Sequence, residues 1–186
     1  MITPILETER ILLRPARISD AEAIYNNWAS DADVARFVRW NVHGSVDETI
    51  AWLTGLEANV SDENSYDWLF VLKETGEPFG SGGVIYNKTH GMFEIGYCIM
   101  KRCWDIGLAT EAASAILRFV VDRLNQTMLF ACHVYENPAS GRVLEKLGFV
   151  YKSDGACSIC DGGRVYKTRE YFFERDIHML GGCIRD

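Results

Sequence analysis

The chain has 186 residues, 48% apolar and 24% charged, which fits one domain spanning 1–186 with a sizeable core. A net charge of −7, with no Lys/Arg run longer than two, argues against nucleic acid as a partner and gives a surface that favours cationic partners such as amines. No apolar stretch approaches the roughly 20 residues of a membrane span. Met1-Ile2-Thr3-Pro4 lacks the basic start and apolar run of a signal peptide, and the six cysteines are irregularly spaced. A reduced, cytoplasmic protein with no membrane partner is expected.

Residues 11–15 read as a first strand closed by Pro15. Ser19-Asp20-Ala21-Glu22 has capping-box spacing and opens a helix that buries Ala21, Ile24, Tyr25 and Trp28. Residues 34–38 form a short helical turn. A second box, Ser45-Val46-Asp47-Glu48, starts a helix to about residue 57, with Val46, Ile50, Leu53 and Leu56 inward. Residues 66–73 and 79–87 read as a hairpin around Gly76. Gly80, Gly82 and Gly83 in its second arm mark a bulge or a close backbone approach.

The most informative stretch begins at Phe93. Phe93, Ile95, Tyr97 and Ile99 alternate as one apolar face of a strand. From Ala109 the period changes to that of a helix, through Ala112, Ala113, Ile116, Leu117, Val120 and Leu124. Gly107 and Ala109 sit between the two, where a ligand can approach the backbone. Unpartnered N–H groups and the positive end of the macrodipole make that helix start an anion site, suited to a diphosphate.

Residues 128–134 form a short buried strand, and the strand–helix–strand unit makes it parallel to the strand at 93–100. Asn137 and Pro138 open another helix as N-cap and first residue. Val143, Leu144 and Leu147 face inward, Gly148 ends the helix and Phe149 closes it. Residues 149–153 and 165–174 form a final antiparallel pair joined by a loop at 154–163. The single Cys157-Ser158-Ile159-Cys160 lies in that loop without a second pair, and the histidines show no ligand spacing, so no metal site is expected.

Three motifs in this order resemble the GNAT superfamily of acyl-CoA-dependent N-acyltransferases, and within it the RimJ/RimL-like branch. They are Thr8-Glu9-Arg10-Ile11-Leu12-Leu13-Arg14-Pro15, then Gly96-Tyr97-Cys98-Ile99 with Trp104-Asp105-Ile106-Gly107-Leu108-Ala109-Thr110-Glu111, then Asn137-Pro138-Ala139-Ser140 with Leu144-Glu145-Lys146-Leu147-Gly148-Phe149. The resemblance implies an α+β fold: a mixed, mostly antiparallel sheet whose central parallel strand pair splays apart around acetyl-CoA, with helices alongside. Ile99, Met100 and Lys101 would face the pantetheine arm. Ile106, Gly107, Leu108, Ala109 and Thr110 would wrap the pyrophosphate, and Asn137 and Ser140 would lie near the thioester. Trp104 stands where much of the superfamily has Arg or Gln, so the diphosphate would rest on main-chain donors, with Glu111 turned away.

The implied activity is acetyl transfer from acetyl-CoA to a primary amine, on a protein N-terminus or a small molecule, by direct attack in a ternary complex. The alternative is a cofactor-binding regulatory module without turnover. Glu94 matches the family's strand glutamate and would be the base; its plain reading is a solvent-facing carboxylate. Leu144 replaces the superfamily's tyrosine, which leaves Ser140 as the candidate acid, or else as an ordinary first-turn serine. Arg39, Trp40 and Tyr135, with Glu94, would wall the acceptor site, although Trp40 suits a core position equally well. A homodimer through an edge strand or residues 181–186 is an open alternative.

Overall fold

The structure, a computed structural model, describes residues 3–58, 62–158 and 165–175. Eight strands form one sheet in the order β1-β2-β3-β4-β5-β6-β8-β7. They are β1 (Leu6–Glu7), β2 (Ile11–Arg14), β3 (Ser65–Leu72), β4 (Pro78–Asn87), β5 (Met92–Ile99), β6 (Met128–Val134), β7 (Val150–Ser158) and β8 (Val165–Glu174). Every neighbouring pair is antiparallel except β5 and β6. The α+β fold with one parallel pair is therefore the one expected.

That parallel pair is short. Phe93 pairs with Leu129 and Glu94 with Phe130, and there the ladder stops, although β5 continues to Ile99 and β6 to Val134. The Met100 N–H bonds to the Phe79 carbonyl, and β5 pairs with β4 throughout its length. Alternation along β5 then turns the main-chain groups of Tyr97 and Ile99 away from β4, toward the side β6 has left.

The helices are α1 (Ala21–Ile24), continued by a π-helical turn at Tyr25–Ala29, then α2 (Ala32–Ala35), α3 (Val46–Ala58), α4 (Leu108–Asp122) and α5 (Pro138–Lys146). Helix α4 lays Ala112, Ala113, Ile116 and Val120 on the sheet, fully buried. Its Phe119 ring stands edge-on to Tyr66 and Trp68, with both centroids 5.2 Å away. Asn137 caps α5 by accepting the Ser140 N–H, Gly148 takes φ +87°, and Phe149 is buried, as its caps predict.

Local features differ from expectation in several places, among them the short helical turn, which lies at Ala32–Ala35. A 3-10 turn at Ile18–Asp20 leads into α1, and Asp20 rather than Ser19 caps it by reaching back to Arg17. Its carboxylate accepts the Arg17 N–H at 2.8 Å and both outer nitrogens of Arg14 at 2.7 and 2.8 Å, a charge-assisted pairing that a serine does not make. Glu48 reaches back to the Gly44 N–H rather than to Ser45. Helix α3 turns Val46, Leu53 and Leu56 inward as expected, but Thr49, held on His43 Nδ1 at 2.8 Å, takes the fourth inward place and Ile50 is exposed. Strand β7 runs on to Ser158, because β8 pairs with it along its whole length. The β4 glycines do mark close approaches: a Cβ on Gly80 or Gly82 would lie 2.4 or 2.6 Å from a β5 carbonyl oxygen.

Candidate active site

The departure of β6 from β5 leaves a V that opens into a cavity of about 830 Å³. Glu94, Ile99, Gly107, Ala109, Thr110, Asn137, Ser140, Arg39 and Trp40 all line it. The fold thus brings together nine sequence-selected residues from β5, α4, α5 and the segment after α2. Five others lie differently. Tyr135 sits outside, over Arg169, because its N–H bonds to the Lys167 carbonyl and turns the chain past β6. Met100 has its N–H committed to Phe79. Lys101 gives its ammonium to Asp33 and its carbonyl to the Trp104 N–H. The Ile106 side chain is exposed and its carbonyl accepts from Arg10, while the Leu108 side chain is core. Only main-chain groups of the last two can face a ligand.

At the start of α4, Gly107 has φ +85° and serves as N-cap, a conformation that suits glycine. The first intrahelical bond is Glu111 N–H to Gly107 O, so the amides of Leu108, Ala109 and Thr110 have no acceptor inside the helix. Glu111 points away as expected. It accepts from Thr8 Oγ1 at 2.6 Å and Arg10 Nε at 2.7 Å, and these bonds hold its carboxyl below the usual range against the opposing effect of burial. Trp104 ties the loop down by donating its indole N–H to Ile99 O at 3.0 Å. Arg142 and Lys146 of α5 also line the cavity. The loop motif gave no signal for these two cations, because they come from another helix.

Glu94 is buried, 7% exposed, rather than solvent-facing. Its carboxylate receives Arg39 Nη2 at 2.5 Å and Asn87 Nδ2 at 2.8 Å, with Cys132 Sγ at 3.8 Å. Buried in this way, the carboxylate is ion-paired with Arg39. Burial opposes the charge on Arg39, but Glu94 outweighs it and raises the guanidinium pKa. Burial, then Glu94, push the Cys132 thiol up to about 11.

The opposite face of β5 carries a second polar pair. Tyr97 Oη lies 3.1 Å from Ser140 Oγ, and burial pushes the phenol up to about 12 although Ser140 acts against this. Tyr97 and Asn87 escaped sequence reasoning. Tyr97 belongs to an apolar alternation, and Asn87 reaches Glu94 only once the β4–β5 hairpin has formed. Period two puts Glu94 and Tyr97 on opposite faces, so the groups suited to taking and giving a proton flank the V from its two sides. The histidines have structural partners: Val134 O and Tyr171 for His133, Thr49 for His43, and the Phe130 ring for His90. His178 and Cys160 lie outside the described residues, as do residues 181–186.

Comparison with known proteins agrees with this arrangement. The acetyltransferase (GNAT) domain family matches residues 10–150. The uncharacterized N-acetyltransferase YoaA of Bacillus subtilis is 29% identical over 169 residues, covering 90% of this chain and 95% of its own. The uncharacterized protein YkkB of the same organism is 30% identical over 150 residues, covering 78% and 85%. Among solved structures, a GNAT-family acetyltransferase from Bacillus anthracis superposes with a TM-score of 0.78 at 22% identity, covering 92% and 98%. The ribosomal-protein-S5-alanine acetyltransferase from Vibrio fischeri does so with 0.78 at 17%, covering 94% and 98%. With the family matching three quarters of its length, the chain belongs to the GNAT acetyltransferases and is an N-acetyltransferase.

Proposed function

We propose that the protein transfers an acetyl group from acetyl-CoA to a primary amine by direct attack within a ternary complex. The observation that carries this reading is the open V. Tyr97 and Ile99 turn main-chain groups into a gap that β6 no longer fills, beside three α4 amides without intrahelical acceptors. Arg142 and Lys146 add positive charge at the same cavity, which suits a diphosphate. When bound there, acetyl-CoA supplies an activated thioester.

The chain's own groups account for the proton movements. Forming the N–C bond and breaking the C–S bond requires one proton to leave the amine and one to reach the sulfur. Glu94, held by Arg39 and Asn87, is the acceptor, directly or through water. Ser140 is the donor, and the Tyr97 phenol, protonated at neutral pH, restores its proton across 3.1 Å. The main-chain N–H of Ile99 is positioned as the oxyanion donor. The acceptor amine is a protein N-terminus or a small molecule; the similar fold of the Vibrio fischeri ribosomal-protein-S5-alanine acetyltransferase is in keeping with a protein acceptor. The chain fits the RimJ/RimL-like branch, where Leu144 stands in place of the superfamily's tyrosine. The four described cysteines are free thiols, which supports the cytoplasm as its place of work. No helix among the described residues is long and apolar enough to cross a membrane.

The test is thiol release from acetyl-CoA with a panel of amines, for the wild type and Glu94→Gln. Release that falls about a hundredfold or more in the variant supports the assignment. Tight acetyl-CoA binding with no release for any amine would instead make the protein a cofactor-binding module.

A further inference from the structure

The α1–α3 side of the cavity has a bare floor. Asp67 of β3, Gly83 of β4 and Gly96 of β5 lie side by side in one cross-strand row, facing the same way as Glu94 in the next row but one of β5. Packing explains Gly83, where a Cβ would lie 2.0 Å from the Tyr66 carbonyl oxygen. Packing does not explain Gly96. Its φ is not positive, and a Cβ built there meets nothing within 4 Å. A mid-strand glycine weakens a strand, so an open glycine at the cavity floor is a position kept empty for something other than the fold.

At the far end of this floor stands Asp67. Its side chain is exposed in the cavity, yet the dense protein around it desolvates the carboxyl and holds its pKa above the usual range, while Ser65 acts the other way. Its partner among the described residues is Ser65 Oγ at 2.9 Å, and no arginine, lysine or histidine there forms an ion pair with it. Glu94, the carboxylate at the near end, has both Arg39 and Asn87. The indoles of Trp40 and Trp52 wall the same cavity, with His43 packed between them. The geometry is a glycine-floored slot from the V to a carboxylate without an ion-pair partner among the described residues, in a cavity that Trp40 and Trp52 also line.

We propose that the acceptor carries a second positive charge and that Asp67 is the specificity residue that holds it, two strand spacings (about 10 Å) across the sheet from β5, the strand that edges the V. This rests on the acetyl-transfer reading above. The net charge of −7 is of the sign that draws such an acceptor in. Two sources present this chemistry: a linear polyamine, or a peptide whose N-terminal amine is followed closely by a basic side chain.

The experiment measures kcat/KM by thiol release for pentylamine, 1,5-diaminopentane and spermidine, and for a tripeptide with arginine at its third position against the same peptide with alanine. In the wild type a dicationic acceptor should exceed its monocationic counterpart by about tenfold, mainly through KM. Whichever pair shows the preference identifies the source. Asp67→Asn should bring that ratio close to one, and Asp67→Glu should retain most of it. Gly96→Val should keep the wild-type melting temperature while raising KM for every acceptor. Equal rates for mono- and dications, or a ratio untouched by Asp67→Asn, overturn the proposal while leaving acetyl transfer intact. No release with any amine despite acetyl-CoA binding overturns both.

Discussion

Adding one negative charge to the first turn of α4 should change the protein and its complex in opposite directions. Thr110 lines the cavity in that turn, next to amides without intrahelical acceptors. Thr110→Asp is nearly isosteric and places a carboxylate at the positive end of the macrodipole. The free protein should therefore hold its stability or gain about 0.3–1 kcal/mol. A bound diphosphate sees the reverse. Two unit charges about 5 Å apart at an effective dielectric near 20 repel by about 3 kcal/mol, and salt brings this to about 1–2, roughly tenfold in affinity. At a ligand concentration of about a thousand times the wild-type Kd, acetyl-CoA stabilises by about 4.1 kcal/mol, and tenfold weaker binding leaves about 2.7. Thermal unfolding with and without acetyl-CoA reads both effects, with Thr110→Asn as the control for shape. An acetyl-CoA shift in the aspartate variant equal to that of the wild type would refute the helix start as the diphosphate site.

Arg39→Met should cost about 2–4 kcal/mol by leaving Glu94 buried without its counter-charge, the half-exposed guanidinium keeping this below the full penalty for a buried pair. Glu94→Gln should cost less, and the double variant should regain part of the loss in a denaturant titration; additive costs would mean the pair is not coupled. With its thiol pushed up to about 11, Cys132 should alkylate at pH 8 at least about a hundredfold more slowly than an ordinary thiol, and Glu94→Gln should speed it, as read by peptide mapping after iodoacetamide. Labelling of Cys132 ahead of the other cysteines would contradict that environment. Asp20 is held below its usual pKa because Arg14 and the Arg17 N–H outweigh burial. A depressed carboxyl stabilises above its unfolded pKa near 4 and loses that contribution as pH falls through the folded value. Asp20→Asn should therefore lower the melting temperature by about 2–6 °C at pH 7, with the difference closing toward pH 3.

The strand, loop and helix at the centre of the site could be read from sequence because each has a local cause. The period changes from two to 3.6 across Gly107, and α5 carries Asn137 and Pro138 at one end and Gly148 at the other. What escaped depends on partners distant in the chain. Arg39 meets Glu94 across 55 residues, once the segment after α2 folds over the sheet. Asp20 displaced Ser19 as a cap because Arg14 at the end of β2 is in reach. The second half of β7, Ser153-Asp154-Gly155-Ala156-Cys157-Ser158, has the composition of a loop and becomes strand through its ladder with β8. Tyr97 looked like one more apolar residue until α5 brought Ser140 to its hydroxyl. Asp67 lies in a strand of mostly bulky apolar residues, and Gly83 and Gly96 fall into line beside it only once the three strands have paired.

Because just two residue pairs stitch β5 to β6, the molecule is in effect a five-stranded sheet and a three-stranded sheet hinged at Glu94 and Phe130. A ligand lodged beyond that hinge stands in for the missing rungs of the ladder. Amide hydrogen exchange at Tyr97 and Ile99 should then be quick in the free protein and slow in the complex, so that the cosubstrate acts as a removable splint between the two halves.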